Sequence, residues 1–443
     1  MTHRTPARLT TVLATLTLAG CSEPGPDAPT LQPLTLTAEA GAVHLSVSPN
    51  RAAPGTVLER DLRVHGLTYP TDLAPLPGGR TAVLDRIDAQ VVVLDADGSE
   101  VERWGGPGDG PGEYEEPYAI ASTGRHLMVM DKNARLTFLA ADGRVTGTVV
   151  NVVGDIQAMW QRSPISRWEE PLQLSHEDAT RRVSALGDSA FTLLIQDRDE
   201  RFDASFQEGD AEVRFPHPVL AFDTAGSLLD TLTLLEGPGV RPWQRPSEMR
   251  FAFPRQRAFP MRPMWAAGRG WTATAHGSRP EVRIRFADGD TLTVTWPADP
   301  RPLGEADARW FVLNEIEALR RTKGREAETD MGEIPFDLIV DDWELLYSTE
   351  RPQVMGLLGD GPCLVIQGLR PDHGGHMEAT TVVVLDVREP GRGAVVSIES
   401  EPGFIRSLHG GALHYLTVED DGTRAWERYP LPDGLCSRAA DEP

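Results

Sequence analysis

Gly79-Arg-Thr-Ala-Val-Leu-Asp85-Arg-Ile-Asp-Ala-Gln-Val-Val-Val-Leu-Asp-Ala-Asp-Gly98 is answered further along the chain by Gly124-Arg-His-Leu-Met-Val-Met-Asp131-Lys-Asn-Ala-Arg-Leu-Thr-Phe-Leu-Ala-Ala-Asp-Gly143. The opening glycines are 45 residues apart and so are the closing ones; Asp85 and Asp131 fall one residue out of that register. A period in the forties that holds several short strands is the mark of a propeller blade. Ala82 to Leu84, Val91 to Leu94, Leu127 to Met130 and Leu136 to Leu139 are apolar without strict alternation, as expected of strands covered on both faces. Asp97-Gly98 and Asp142-Gly143 supply the positive φ of a tight hairpin turn.

Working outward, the unit recurs in weaker form. Phe191 to Ile195 with Leu220 to Gly226 reads as a third copy, and Trp271 to Ala275 with Val282 to Gly289 as a fourth. Leu364 to Ile366 with Thr381 to Asp386 reads as a fifth, and Leu413 to Val418 with Asp421-Gly422 as a sixth. A strand within Leu34 to Val47 is expected to complete the last blade and close the ring, which removes exposed sheet edges. Insertions break the period at 155–185, at 241–265, at 305–323 and at 369–379. The third of these reads as a helix: Val312, Ile316 and Leu319 share a face, Glu305–Arg309 and Glu317–Arg321 are favourable pairs, and Gly324 stops it.

Residues 106–143 read GPGDGPGEYEEPYAIASTGRHLMVMDKNARLTFLAADG. The glycine run, the aromatic, Pro117, the small-apolar strand and then Asp131, Asn133 and Arg135 resemble an NHL repeat. The body from about residue 60 to 430 is similar to the bacterial six-bladed β-propeller lipoproteins related to NHL proteins, most clearly in its second unit. The resemblance implies an all-β, six-bladed β-propeller, here with a short helical insertion between blades four and five. Gly108, Gly110 and Gly112 suit a bent connection between blades. Asp131, Asn133 and Arg135 are expected to hydrogen-bond across a blade and its neighbour.

The N-terminus carries a separate message. Arg4 and Arg8 precede a short apolar stretch from Leu9 to Leu18, and Leu18-Ala19-Gly20-Cys21 follows. That is the order of a signal peptide, and the stretch is too short to span a bilayer. The tetrapeptide resembles a bacterial lipobox, which implies cleavage after Gly20 and lipidation of Cys21. By the same resemblance to lipoprotein sorting signals, Ser22 in place of Asp permits an outer-membrane destination facing the periplasm. The expected organisation is a signal peptide at 1–20, a lipidated cysteine and flexible tether at 21–32, one propeller domain at 33–436 and a flexible tail at 437–443. Of the remaining cysteines, Cys363 and Cys436 either pair, tying the tail to the body, or stay as two thiols.

Composition narrows the partners. The 443 residues are 40% apolar and 25% charged, enough to bury a core. Removing the signal peptide takes the formal charge from −23 to about −25, which argues against nucleic acid and against docking on anionic lipid. His373 and His376, spaced His-x-x-His beside Asp372 and Glu378, are weak candidates for a metal; with no third ligand in the pattern, no metal and no cofactor are expected. The acidic turns at 95–98 and 419–422 lack an EF-hand spacing. Arg241, Trp243, Arg245, Arg255, Arg257 and Trp265 either line a ligand mouth, where arginine forks hold carboxylates and stack on rings, or belong to an inter-blade loop whose Trp243, Phe251, Phe253, Phe259 and Trp265 pack on the propeller surface. No nucleophile elbow, phosphate loop or zinc-protease helix is present. The reading is a membrane-anchored binding or scaffold module for a protein, peptide or glycan. The rival, which the resemblance suggests, is a lactonase-like or amidating-lyase-like enzyme holding a metal in the channel. His65, His126, His217, His276 and His409 lie near blade starts or strands and could supply such a cluster.

Overall fold

The protein is described by a computed structural model covering residues 36–39, 41–49, 55–131, 135–149, 183–194, 213–240, 263–299, 302, 352–368, 380–389, 391–399, 403–418 and 423–436. Six antiparallel sheets follow one another along the chain as the blades of a six-bladed β-propeller. Blade one is Pro70–Pro75, Thr81–Asp85, Gln90–Leu94 and Glu100–Gly105; blade two is Ala119–Ser122, His126–Met130, Leu136–Ala140 and Val145–Val149. Blade three is Val183–Leu186, Ala190–Leu194, Val213–Asp223 and Leu228–Val240; blade four is Pro263–Gly268, Trp271–His276, Glu281–Phe286 and Thr291–Thr295. Blade five is Gly356–Asp360, Cys363–Gln367, Thr380–Asp386 and Gly393–Ile398. Blade six takes three strands from the C-terminal end, Gly403–His409, Ala412–Val418 and Arg424–Pro430. The repeated apolar runs are the second and third strands of their blades, and the first, innermost strands lie just before them.

There is no single core. Each of the six seams between neighbouring blades carries its own apolar cluster. This explains why the strands are apolar without alternating. Ala82 and Leu84 face the seam with blade two, while Val83 between them faces the seam with blade six. Leu127 and Val129 face blade one; Met128 and Met130 face blade three. A strand flanked by two seams needs apolar side chains at both parities. The Asp-Gly turns contribute to these seams. Gly98 (φ 81°) leaves room for Val64, and Gly143 (φ 79°) lies against the Trp104 indole, so a Cβ there would strain the backbone and strike the neighbour.

Ring closure departs from the sequence expectation. The fourth strand of blade six is Leu62–Val64, paired antiparallel with Arg424–Pro430, and not a strand from 34–47. That earlier segment forms a hairpin, Leu36–Glu39 with Ala42–Leu45, whose second strand adds parallel to the outer edge of blade four. Thr56–Leu58 adds in the same way to blade five. The N-terminal segment thus crosses three successive blades, covering two edges before it closes the third. The closing strand is held by side chains as well as by its ladder. Fully buried Glu427 receives Arg63 at 3.0 Å and also Arg60, while Tyr429 donates its hydroxyl to the same carboxylate at 2.7 Å. Asp61 pairs with Arg428 at 2.9 Å. The reason is sequence distance: alternation within Leu34 to Val47 marks strand structure, which the chain folds as two short strands of a hairpin, but parity cannot say which of three open edges a strand will join.

Antiparallel pairing sends the turns between first and second strands, and between third and fourth, to one face of the ring. The second-to-third and inter-blade connections fall on the other. Among the described residues the first face carries short turns and the C-terminal stretch after Pro430, which Leu431 ties to the Gly411 carbonyl. The strand ends joined by the longest connections, Val149 to Val183, Leu194 to Val213, Val240 to Pro263 and Thr295 to Gly356, all lie on the second. The expected helix at 305–323 falls outside the described residues. Among the described residues no helix is long and apolar enough to cross a membrane.

Candidate functional site

Two groups of buried charge sit at blade seams, and they differ in what they face. At the seam of blades one and two, Asp131 follows the second strand of blade two and Arg135 precedes the third. The guanidinium donates to the Asp131 carboxylate from Nε at 2.9 Å and from Nη2 at 2.7 Å, and Nη2 reaches the carbonyls of Gly108 and Glu113 at 3.1 and 2.9 Å. The carboxylate also accepts the Arg135 amide at 3.2 Å and the Glu115 amide at 3.3 Å. The repeat's Asp and Arg therefore fasten the inter-blade connection to its blade, and the pair is nearly inaccessible. Asn133 lies outside the described residues. Asp85 plays the parallel part in blade one, accepting the amides of Thr68, Tyr69 and Asp88.

The second group faces a cavity. The innermost strands of all six blades and their short first turns enclose about 1110 Å³, opening on the short-turn face. Along their innermost strands blades two to five line it mainly with Ile120, Val183, Trp265 and Leu357, interrupted by Ser122, Ser184 and Asp360, and their turns place Arg125, Asp188, Arg269 and Arg388 around the mouth. Blades six and one line it with Asp72, Arg406, Ser407 and His409. Two irregularities set this polar wall. Pairing in blade one shifts between Pro70 and Asp72, and pairing in blade six shifts between Ile405 and Ser407, leaving Arg406 as the extra residue. A bulge of this kind re-aims the side chain it carries.

Asp72 is buried, and its carboxylate accepts the Ile120 amide across the seam and the Leu73 amide, each at 3.0 Å. Burial pushes its pKa up to about 7, against the opposing pull of those amides and of the nearby Arg406 charge. His409 is held by its neighbours. Its ring stacks on His414 with centroids 3.6 Å apart and planes at 9°, and its Nδ1 lies 3.1 Å from the Ser407 hydroxyl. Burial drives the His414 pKa down to about 3, so that ring is neutral. Trp426 Nε1 can only donate, so His414 Nδ1 accepts it at 3.0 Å, and His414 Nε2 donates to the His409 carbonyl at 3.3 Å. The Trp426–His414 pair thus fixes the plate against which His409 rests.

Most residues singled out from the sequence fall elsewhere. Cys21, Arg241, Trp243, Arg245, Arg255, Arg257, His373 and His376 lie outside the described residues. Val240 and Pro263, which bracket the arginine-rich stretch, end on the face opposite the cavity mouth. Trp265 is buried, donates Nε1 to Thr192 at 3.1 Å, packs with Leu194 and Val219 at the seam of blades three and four, and forms part of the cavity wall. Among the described residues no three His, Cys, Asp or Glu are grouped to hold a metal, so His65, His126, His217, His276 and His409 do not converge. Cys363 in blade five and Cys436 after blade six are joined sulfur to sulfur, with Cα atoms 5.3 Å apart. Sequence reasoning does not single out Asp72, Arg406, Ser407 or His414. The one signal for them is the Gly410-Gly411 turn, whose two-residue hairpin sets His409, paired with Ala412, and His414, paired with Ser407, two rungs apart.

No known family profile matches the chain, and no curated protein matches it in sequence. Solved structures resemble it in fold. A member of the DUF4221 family from Bacteroides vulgatus ATCC 8482 has a TM-score of 0.45 at 10% identity, over 84% of this chain and 96% of that one. A protein described as exported, from Bacteroides fragilis NCTC 9343, has a TM-score of 0.40 at 10% identity, over 88% and 98%. Virginiamycin B lyase from Staphylococcus aureus has a TM-score of 0.34 at 8% identity, over 83% and 98%. Likeness at this level carries no argument about function, and the fold stands on the strand pairing itself.

Proposed function

We propose that this chain is an extracytoplasmic propeller lipoprotein, anchored through Cys21 in the outer membrane and facing the periplasm, that serves as a binding or scaffold module for a protein, peptide or glycan. The observation that supports it best is the cavity: six inner strands enclose about 1110 Å³, with one polar wall, within a rigid ring. Concave sites with a few convergent polar groups on an apolar lining are where ligands bind. The charged n-region, short apolar run and Leu-Ala-Gly-Cys tetrapeptide support the anchor.

Two measurements test this. Cys21→Ser should move the protein from the membrane to the soluble fraction and abolish incorporation of labelled palmitate. A photo-crosslinking residue at exposed Arg125, on the cavity mouth, should give a discrete adduct in intact cells, while one at exposed Ile87 should not. Equal labelling from both positions, or membrane retention without Cys21, overturns the proposal.

A further inference from the structure

The cavity wall is divided by chemistry. Along the innermost strands, blades two to five offer mostly hydrocarbon and an indole while Asp72, Arg406, Ser407 and His409 are gathered on blades one and six; the charged lining residues of blades two to five, Arg125, Asp188, Arg269 and Arg388 among them, stand on the turns at the mouth. That division specifies a ligand with an apolar body and a polar end. The polar end is specified further by the groups that meet it. Arg406, carried on a bulge, brings a guanidinium, whose planar fork matches a carboxylate. Ser407 and His409 add a hydroxyl and an imidazole on the same strand, held by their mutual contact and by the stacked, neutral His414. From this juxtaposition we infer that the seam of blades six and one is the recognition site for a carboxylate on an amphipathic molecule, its apolar part lying against Ile120, Trp265 and Leu357. The inference rests on the reading of the cavity as a binding site and names what that site selects.

Asp72 gives the site a pH signature. When its carboxyl is protonated it neither competes for Arg406 nor repels an anion. When ionised it does both. The titratable and charged groups around it are few. Blade one contributes no other along Pro70–Pro75, blade two none along Ala119–Ser122, and blade six contributes Arg406, His409 and the buried His414. His409 is a second ionisable group on the same wall, so only a variant of Asp72 isolates the part due to the carboxyl.

The test is calorimetric titration of the full-length chain with 3-phenylpropanoate, 3-phenylpropanol and 3-phenylpropylamine, below and above a pH of about 7. The acid is expected to bind at least about tenfold more tightly than the alcohol or the amine, because a charge-assisted pair has no counterpart in either control. Its advantage should grow as the pH falls. Arg406→Met should erase the preference while leaving the alcohol unaffected, and Asp72→Asn should flatten the pH dependence. If Asp72→Asn fails to fold, Arg406→Lys serves instead, keeping the charge, losing the fork and weakening acid binding. An acetylated dipeptide ending in phenylalanine, run beside its C-terminal amide, tells a peptide end from a free acid. Equal binding of acid and alcohol, binding of neither, or a preference that survives Arg406→Met overturns the inference. Loss of acid selectivity with the Arg125 adducts intact overturns this assignment alone; absence of both overturns the binding reading itself.

Discussion

The Asp131–Arg135 pair and the Asp72–Arg406 group both place opposite charges in the interior of one propeller, yet they serve different ends. Around Asp131 every direction is occupied: the arginine donates to the carboxylate and to two carbonyls, and the carboxylate takes two backbone amides. Nothing there faces open space, so the pair can only fasten a connection to its blade. Asp72 also holds two amides, but it and Arg406 stand on the wall of a cavity, and burial raises its pKa. A buried charge satisfied on all sides is part of the frame. One exposed to a cavity, with its protonation poised near neutrality, is able to answer a ligand.

The largest effect expected from breaking this comparison is at the closed pair. Asp131→Ala leaves the Arg135 guanidinium buried without its carboxylate, which should cost about 3–5 kcal/mol in denaturant unfolding. A loss below about 1 kcal/mol would show that the seam does not depend on the pair.

Next is the seam of blades five and six. Cys436 follows the last strand and reaches back to Cys363 across 73 residues. Cys363→Ser should destabilise the oxidised protein by about 2–5 kcal/mol and leave the reduced protein nearly unchanged. Equal midpoints with and without reductant would show that the link contributes nothing.

The third effect is at the open pair and depends on pH. The Asp72 carboxyl is raised from 3.8 to about 7 in the folded chain, so folded protein holds a proton that unfolded protein releases. Its contribution is therefore fully present below about 4 and is lost as the pH rises towards 7, with a slope of at most about 1.4 kcal/mol per pH unit. Asp72→Asn should remove that slope. A slope identical in the variant assigns it to other groups.

The smallest effect is at Trp265. Trp265→Phe removes its hydrogen bond to Thr192 while keeping most of its buried surface, and should cost about 1 kcal/mol by thermal unfolding. A much larger cost would show that the indole supports the cavity wall as well as the seam.

The fold was legible because a propeller repeats. A 45-residue period, apolar runs at both parities and Asp-Gly turns each survive in a linear reading, and Asp131 and Arg135 carried their role within a few residues of each other. The ring closure was less legible. Leu62–Val64 is three residues long, and its partner lies at the far end of the chain. The site was least legible of all. Asp72 sits within an ordinary strand and Arg406 on a bulge, and nothing in either neighbourhood points to the other.

By itself the sequence determined the blade, its period and its turns, because these rest on local periodicity and on residues close together along the chain. Only the tertiary structure decided which strand closes the ring, that Cys363 meets Cys436, and that Asp72, Arg406, Ser407 and His409 share one wall. A closed ring brings its two ends together, so residues more than three hundred positions apart become neighbours through six seams of packing, and no local pattern encodes that distance.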